Sequence, residues 1–74
     1  MMTVKDLKIG ERGTVKKISG DKVLKRRMMD MGITRGTDIV VTKFSPLNDP
    51  IEIQVRDFQV IIRKENAASI ELAS

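Results

Sequence analysis

The side chains of this sequence that could do chemistry are fourteen lysines and arginines and ten carboxylates, with no histidine and no cysteine. That inventory removes the usual general base, the thiol nucleophile and the commonest transition-metal ligand together. Serine and threonine hydroxyls are present, but without a neighbouring base they are poor nucleophiles. No glycine-rich GxxxxGK[ST] stretch is available to cradle a nucleotide phosphate. The carboxylates are scattered, with Asp49 and Glu52 the nearest pair. Divalent transition metals favour imidazole, thiolate and clustered carboxylate ligands, so neither a tight metal site nor a cofactor is expected. What remains is recognition: charged and apolar groups presented to a partner by a chain that is not an enzyme.

The charge balance points the same way. A formal net charge of +4 and a pI near 9.8 suit an acidic partner, whether protein, nucleic acid or membrane surface. The most informative stretch is Leu24–Gly36, LKRRMMDMGITRG, one short helix, a glycine stop and a tight turn. On a helix of about 100° per residue, Lys22, Lys25, Arg26 and Met29 project together, away from an apolar face. Met29 is then an apolar, adaptable anchor within a basic ring that would steer a partner in. Arg26, Arg27 and Arg35 are also the candidates for an arginine supplied in trans to a partner's phosphate-handling site. Leu47 is a further contact candidate, at the tip of a Pro46–Pro50 loop whose two prolines remove entropy that binding would otherwise cost. The expected partner-contact set is therefore Lys22, Lys25, Arg26, Met29, Arg35 and Leu47.

The elements that must position these residues are short. Thr3-x-x-Asp6 reads as a capping box, with Leu7 and Ile9 as the apolar residues of the turn it opens. A first strand runs from about Gly13 to Ser19, and Ile18 breaks its alternation, which predicts a bend or bulge. Asp21 is a good N-cap for a helix from Lys22 to Met31, and Gly32 a good residue just past its end. Val23, Leu24, Met28 and Met31 form the face expected to close the core. After a Thr34–Thr37 turn, Asp38–Phe44 is β-branched enough to be a strand. Ile51, Ile53 and Val55 alternate with polar residues, as do Phe58, Val60 and Ile62 for the most part. An Arg56-Asp57 turn would pair Val55 with Phe58, Ile53 with Val60 and Ile51 with Ile62, all facing the core. Glu65–Ala68 reads as one helical turn and Ser69–Ala73 as a last strand, with Ile70 and Leu72 inward. The sum is a mainly β chain of about five short strands and one short helix. Curling into a small barrel hides the strand edges, and the helix plugs one end.

The order and spacing of these pieces are similar to the FeoA family, ferrous iron transport protein A. The resemblance runs from Leu7-x-x-Gly10 to Ile70-x-Leu72. It is strongest at Leu24-Lys25-Arg26-Arg27-Met28-Met29-Asp30-Met31-Gly32-Ile33, Arg35-Gly36-Thr37, Pro46-Leu47, Asp49-Pro50 and Ile51-x-Ile53-x-Val55-Arg56. It implies one SH3-like domain over residues 1–74. It also implies a cytoplasmic accessory to the ferrous iron transporter FeoB, a membrane protein with a GTP-binding domain, acting by protein–protein contact. Asn48 and Asp57 stand where many relatives carry glycine, and both tolerate positive φ.

The alternative reading is a nucleic-acid-binding small barrel. Single-strand binders stack bases on aromatic rings, and this chain has only Phe44 and Phe58, so nucleic acid is the less expected partner. With no Trp or Tyr, an aromatic groove for proline-rich peptides is not expected either. The charged N-terminus lacks a signal-peptide core. No apolar run approaches the roughly 18 residues of a membrane span. A soluble, cytoplasmic protein without membrane insertion is expected.

Overall fold

The alternation at Ile51–Val55 and Phe58–Ile62 organises the architecture. The computed structural model describes residues 2–47 and 49–73. In it these segments, β3 (Ile51–Val55) and β4 (Phe58–Ile62), pair in the expected register: Val55 opposite Phe58, Ile53 opposite Val60, Ile51 opposite Ile62. The other strands are β1 (Arg12–Ile18), β2 (Asp38–Phe44) and β5 (Ile70–Leu72). Helix α1 (Lys22–Asp30) joins β1 to β2, and the short α2 (Lys64–Ala67) joins β4 to β5. All pairings are antiparallel, in the order β4-β3-β2-β1-β5.

Strand β1 bends the sheet. Its first half, Arg12–Thr14, pairs with β2, whereas Val15–Ile18 pairs with β5. Val15 is the hand-over point: its N–H donates to the Thr37 carbonyl (2.9 Å) and its carbonyl accepts from Gly36 N–H (2.8 Å). The register slips between Val15 and Lys17, which is the irregularity that Ile18 predicts. A second slip lies between Val41 and Lys43. Such bulges add twist, and the curled sheet wraps a core built on Val15, Ile39, Val41, Ile51, Ile53 and Ile70, each at most 2% exposed. The outer edge of β5 is partly covered, because Thr3 bridges Glu71 and Leu72 N–H donates to the Met2 carbonyl (2.8 Å).

The capping box forms at the N-terminal 3-10 turn, Val4–Asp6. The Thr3 backbone N–H donates to the Asp6 carboxylate (2.9 Å), and the Thr3 hydroxyl does so at 3.2 Å. That backbone bond, ahead of the hydroxyl and the charge of Lys5, holds the Asp6 carboxyl below its ordinary 3.8. A carboxyl lowered on folding stabilises the fold above its unfolded value, and the contribution is lost as pH falls through the folded value. Acidification below pH 3.8 is therefore expected to release the turn, and Asp6→Asn to remove that part of the acid dependence. Carboxyl-detected NMR titration would show it; a carbon shift for Asp6 that titrates at or above 3.8 contradicts it.

Two expectations about the core are corrected. Val23 does not face the core: it is 68% exposed, and Met28 is the buried residue of α1. At about 100° per residue Val23 lies roughly 140° from Met28, and a nine-residue helix laid across a barrel end covers only a narrow stripe. Leu24 and Met31 pack at the margin of that stripe. Phe58 does not point into the core either; it is 44% exposed. It opens edge strand β4 just after the turn, and its ring lies over Gly32, with Cζ only 2.9 Å from where a Cβ on that glycine would sit. Ile9 is exposed as well, beyond the cover of the turn that buries Val4 and Leu7.

In the hairpin turn the left-handed residue is Arg56 (φ 55°), not Asp57. Its guanidinium reaches the buried Thr37 hydroxyl at 3.4 Å, which Thr34 also contacts at 2.9 Å. The expectation for Asn48 lies outside the described residues. No described helix is long and apolar enough to cross a membrane.

Candidate contact surface

Helix α1 is held at both ends by chemistry local to its sequence. At the start, the Asp21 carboxylate accepts from Leu24 N–H (2.8 Å). At the end, Gly32 (φ 83°) sends its N–H to the Met29 carbonyl, and Ile33 sends its own to Met28, both at 2.9 Å. These two bonds are the Schellman arrangement, which needs a left-handed residue just past the helix. The reversal they impose drives Ile33 into the core beside Met28 (0% and 1% exposed). The next residues, Thr34 and Arg35, are thereby turned back alongside the helix.

The result is a groove of about 340 Å³ between α1, the end of β1 and the Thr34–Arg35 turn. Ile18, Met29 and the buried Ile33 give it an apolar lining, and Lys17, Lys25 and Arg35 surround it with cations. A second hollow of about 410 Å³ adjoins it across Lys25 and Met29 and takes in Lys22, Arg26 and Asp30. Met29, 61% exposed, is the ridge between the two. Five of the six expected contact residues therefore converge here: Lys22, Lys25, Arg26, Met29 and Arg35.

Leu47 does not line either hollow. It is 87% exposed at its loop tip. The loop around it is anchored at its base: Asp49 N–H donates to the Ser45 hydroxyl, and the Asp49 carboxylate accepts from Lys64 N–H at the start of α2, both at 2.9 Å. Lys17, Ile18, Ile33 and Thr34 in the groove, and Asp30 in the second hollow, are the lining residues that sequence reasoning missed. Only the broken alternation at Ile18 hinted at those of the groove, because a bulge re-aims side chains toward a neighbouring element.

The surface offers little for metal or acid–base chemistry. The nearest carboxylate pair in sequence is occupied elsewhere, Asp49 by the α2 backbone and Glu52 by the Thr42 hydroxyl (3.0 Å). Among the described residues no three metal-ligating side chains gather.

Residues 2–74 match the FeoA domain family. The chain is 32% identical over 71 residues to an Fe(2+) transport protein A/Fe(2+) transporter FeoB fusion protein of Porphyromonas gingivalis, covering 96% of this chain but only 8% of that protein. The solution structure of FeoA from Chlorobium tepidum superposes with a TM-score of 0.89 at 34% identity, over 96% of this chain and 68% of that one. The zinc complex of FeoA from Stenotrophomonas maltophilia, a procaryotic SH3 domain protein, gives 0.84 at 18% identity, over 99% and 91%. The last likeness bears on the fold alone, which is SH3-like.

Proposed function

This chain belongs to the FeoA domain family, and from that premise we propose that it is a cytoplasmic accessory of ferrous iron uptake that works by direct contact with a FeoB-type transporter. The observation that carries this reading is the fusion relative, in which a similar domain and a transporter share one polypeptide. A covalent link holds two modules at high effective concentration, and such a link is useful when the separate modules must meet. The contact residues assigned are Lys22, Lys25, Arg26, Met29, Arg35 and Leu47. Contact rather than catalysis is the reading that a site without histidine, cysteine or clustered carboxylates supports.

The test is calorimetric titration of the full chain into the purified cytoplasmic GTP-binding domain of its cognate transporter, with and without a GTP analogue. Binding is expected, and a dependence on nucleotide would make the chain a reader of the GTPase state. Met29→Glu is expected to weaken binding by about tenfold or more, as loss of a central apolar anchor does. Its melting temperature should be unchanged, because the side chain is exposed. Absence of binding in both nucleotide states would overturn the proposal.

A further inference from the structure

The distribution of charge singles out one surface. The two hollows flanking Met29 are lined by five cations, Lys17, Lys22, Lys25, Arg26 and Arg35, and one carboxylate, Asp30. The whole chain has fourteen cations and ten carboxylates. Nine of each therefore lie elsewhere and cancel, so the entire excess positive charge of the protein is gathered at this one place.

The groove is also the apolar one: Ile18, Met29 and Ile33 contribute carbon surface, and no carboxylate lines it. An ordinary solvated basic face does not enclose an apolar slot. We propose that this groove receives a segment of the partner protein in which one large apolar side chain is flanked on both sides by carboxylates. The identity of the partner as the transporter rests on the function proposed above; the chemistry of the segment does not.

The physical argument distinguishes this occupant from the others that a basic surface attracts. A slot of about 340 Å³ accommodates one or two large side chains and is lined by thioether and aliphatic groups, which adapt to an anchor's shape. Carboxylates beside the anchor would meet Lys17 of β1, Lys25 of α1 and Arg35 of the turn, one cation from each wall. The cations then set orientation and encounter rate while the apolar anchor supplies desolvation. Nucleic acid would need aromatic faces for its bases, and neither hollow is lined by Phe44 or Phe58. A membrane surface would use a protruding apolar face rather than a recess.

The experiment is amide NMR of the isotope-labelled full chain with four probes. These are the cognate transporter's cytoplasmic domain, a synthetic peptide with one leucine between paired glutamates, a single-stranded oligonucleotide, and vesicles containing anionic lipid. Domain and peptide are expected to perturb the same amides, those of Lys17, Ile18, Lys25, Met29 and Ile33–Arg35. Lys25→Glu and Arg35→Glu, both exposed, should each weaken the peptide and the domain by about tenfold without altering spectral dispersion. If the peptide binds in the groove and the domain binds nowhere, the functional reading fails and the groove chemistry stands. If the domain perturbs the Leu47 loop or β4 instead, the groove assignment is overturned while the functional reading stands. Silence from both domain and peptide, or groove shifts produced only by oligonucleotide or vesicles, also overturns it.

Discussion

Met28→Ala is expected to destabilise this protein by about 3 kcal/mol, the middle of the range for truncating a buried methionine. Met28 is the buried residue of α1, at 1% exposure. Its side chain is what fastens the helix to the barrel, while Leu24 and Met31 pack only at the margin. A domain of this size has a total stability of roughly 4–11 kcal/mol, so the loss is about a quarter of it or more. By the usual proportion of about 4–8 °C per kcal/mol, the melting temperature should fall by more than about 10 °C. The neighbouring Met29→Ala is the control: at 61% exposure it should stay within about 0.5 kcal/mol of the parent. Thermal unfolding followed by circular dichroism separates the two. If Met28→Ala melted within a few degrees of the parent, α1 would not be part of the cooperative core, and the groove built on it would lose its rigid wall.

Gly32→Val should cost about 2–3 kcal/mol, chiefly through the backbone. Gly32 sits at φ 83°, where a β-branched residue is a strong outlier. The added Cβ would also lie 2.9 Å from Phe58 Cζ. That second contribution is the smaller, because Phe58 is half exposed and its ring can swing away. Gly32→Val/Phe58→Ala tests the partition. With the ring gone the steric part vanishes, and a Gly32→Val penalty that persists on this background identifies the conformational cost. Full recovery would assign the penalty to the ring instead. Because the Schellman bonds also place Thr34 and Arg35 against the helix, the same substitution should distort the groove. Amide shifts of residues 33–35 should report it.

Both predictions concern features whose legibility in the sequence differed. The glycine stop could be read in advance because its cause is local: two amide bonds to the preceding turn and one left-handed residue. The Asp21 cap and the Thr3–Asp6 box could be read for the same reason, since donor and acceptor are three residues apart. The β3–β4 register followed from period-two alternation about a two-residue turn, where slipping by one residue would expose every apolar side chain. The distinction between Met28 and Val23 was harder. Both are apolar and both lie on α1, and the choice depends on which stripe of a short helix the barrel end covers. Phe58 has the right parity for the core, but it opens an edge strand, and the bare surface of Gly32 accepts its ring from outside.

The candidate surface divides along the same line. Lys22, Lys25, Arg26 and Met29 could be grouped from helical periodicity alone, because residues three and four apart on a helix are neighbours whatever else the chain does. Residue types also excluded thiol and imidazole chemistry without any coordinates. The sequence by itself therefore determined the β3–β4 register, the helix limits, the family resemblance and the grouping of basic residues around Met29 on one helix face, all properties that short-range geometry or composition dictates. Only the tertiary structure joined Lys17 and Ile18 of β1 to Arg35 beside the helix, left Leu47 apart from them, and placed the excess charge around the two hollows that flank Met29. Those placements depend on a strand bulge and a helix reversal meeting in space. A contact between segments far apart in the chain is set by the packing of everything between them, which no local pattern encodes.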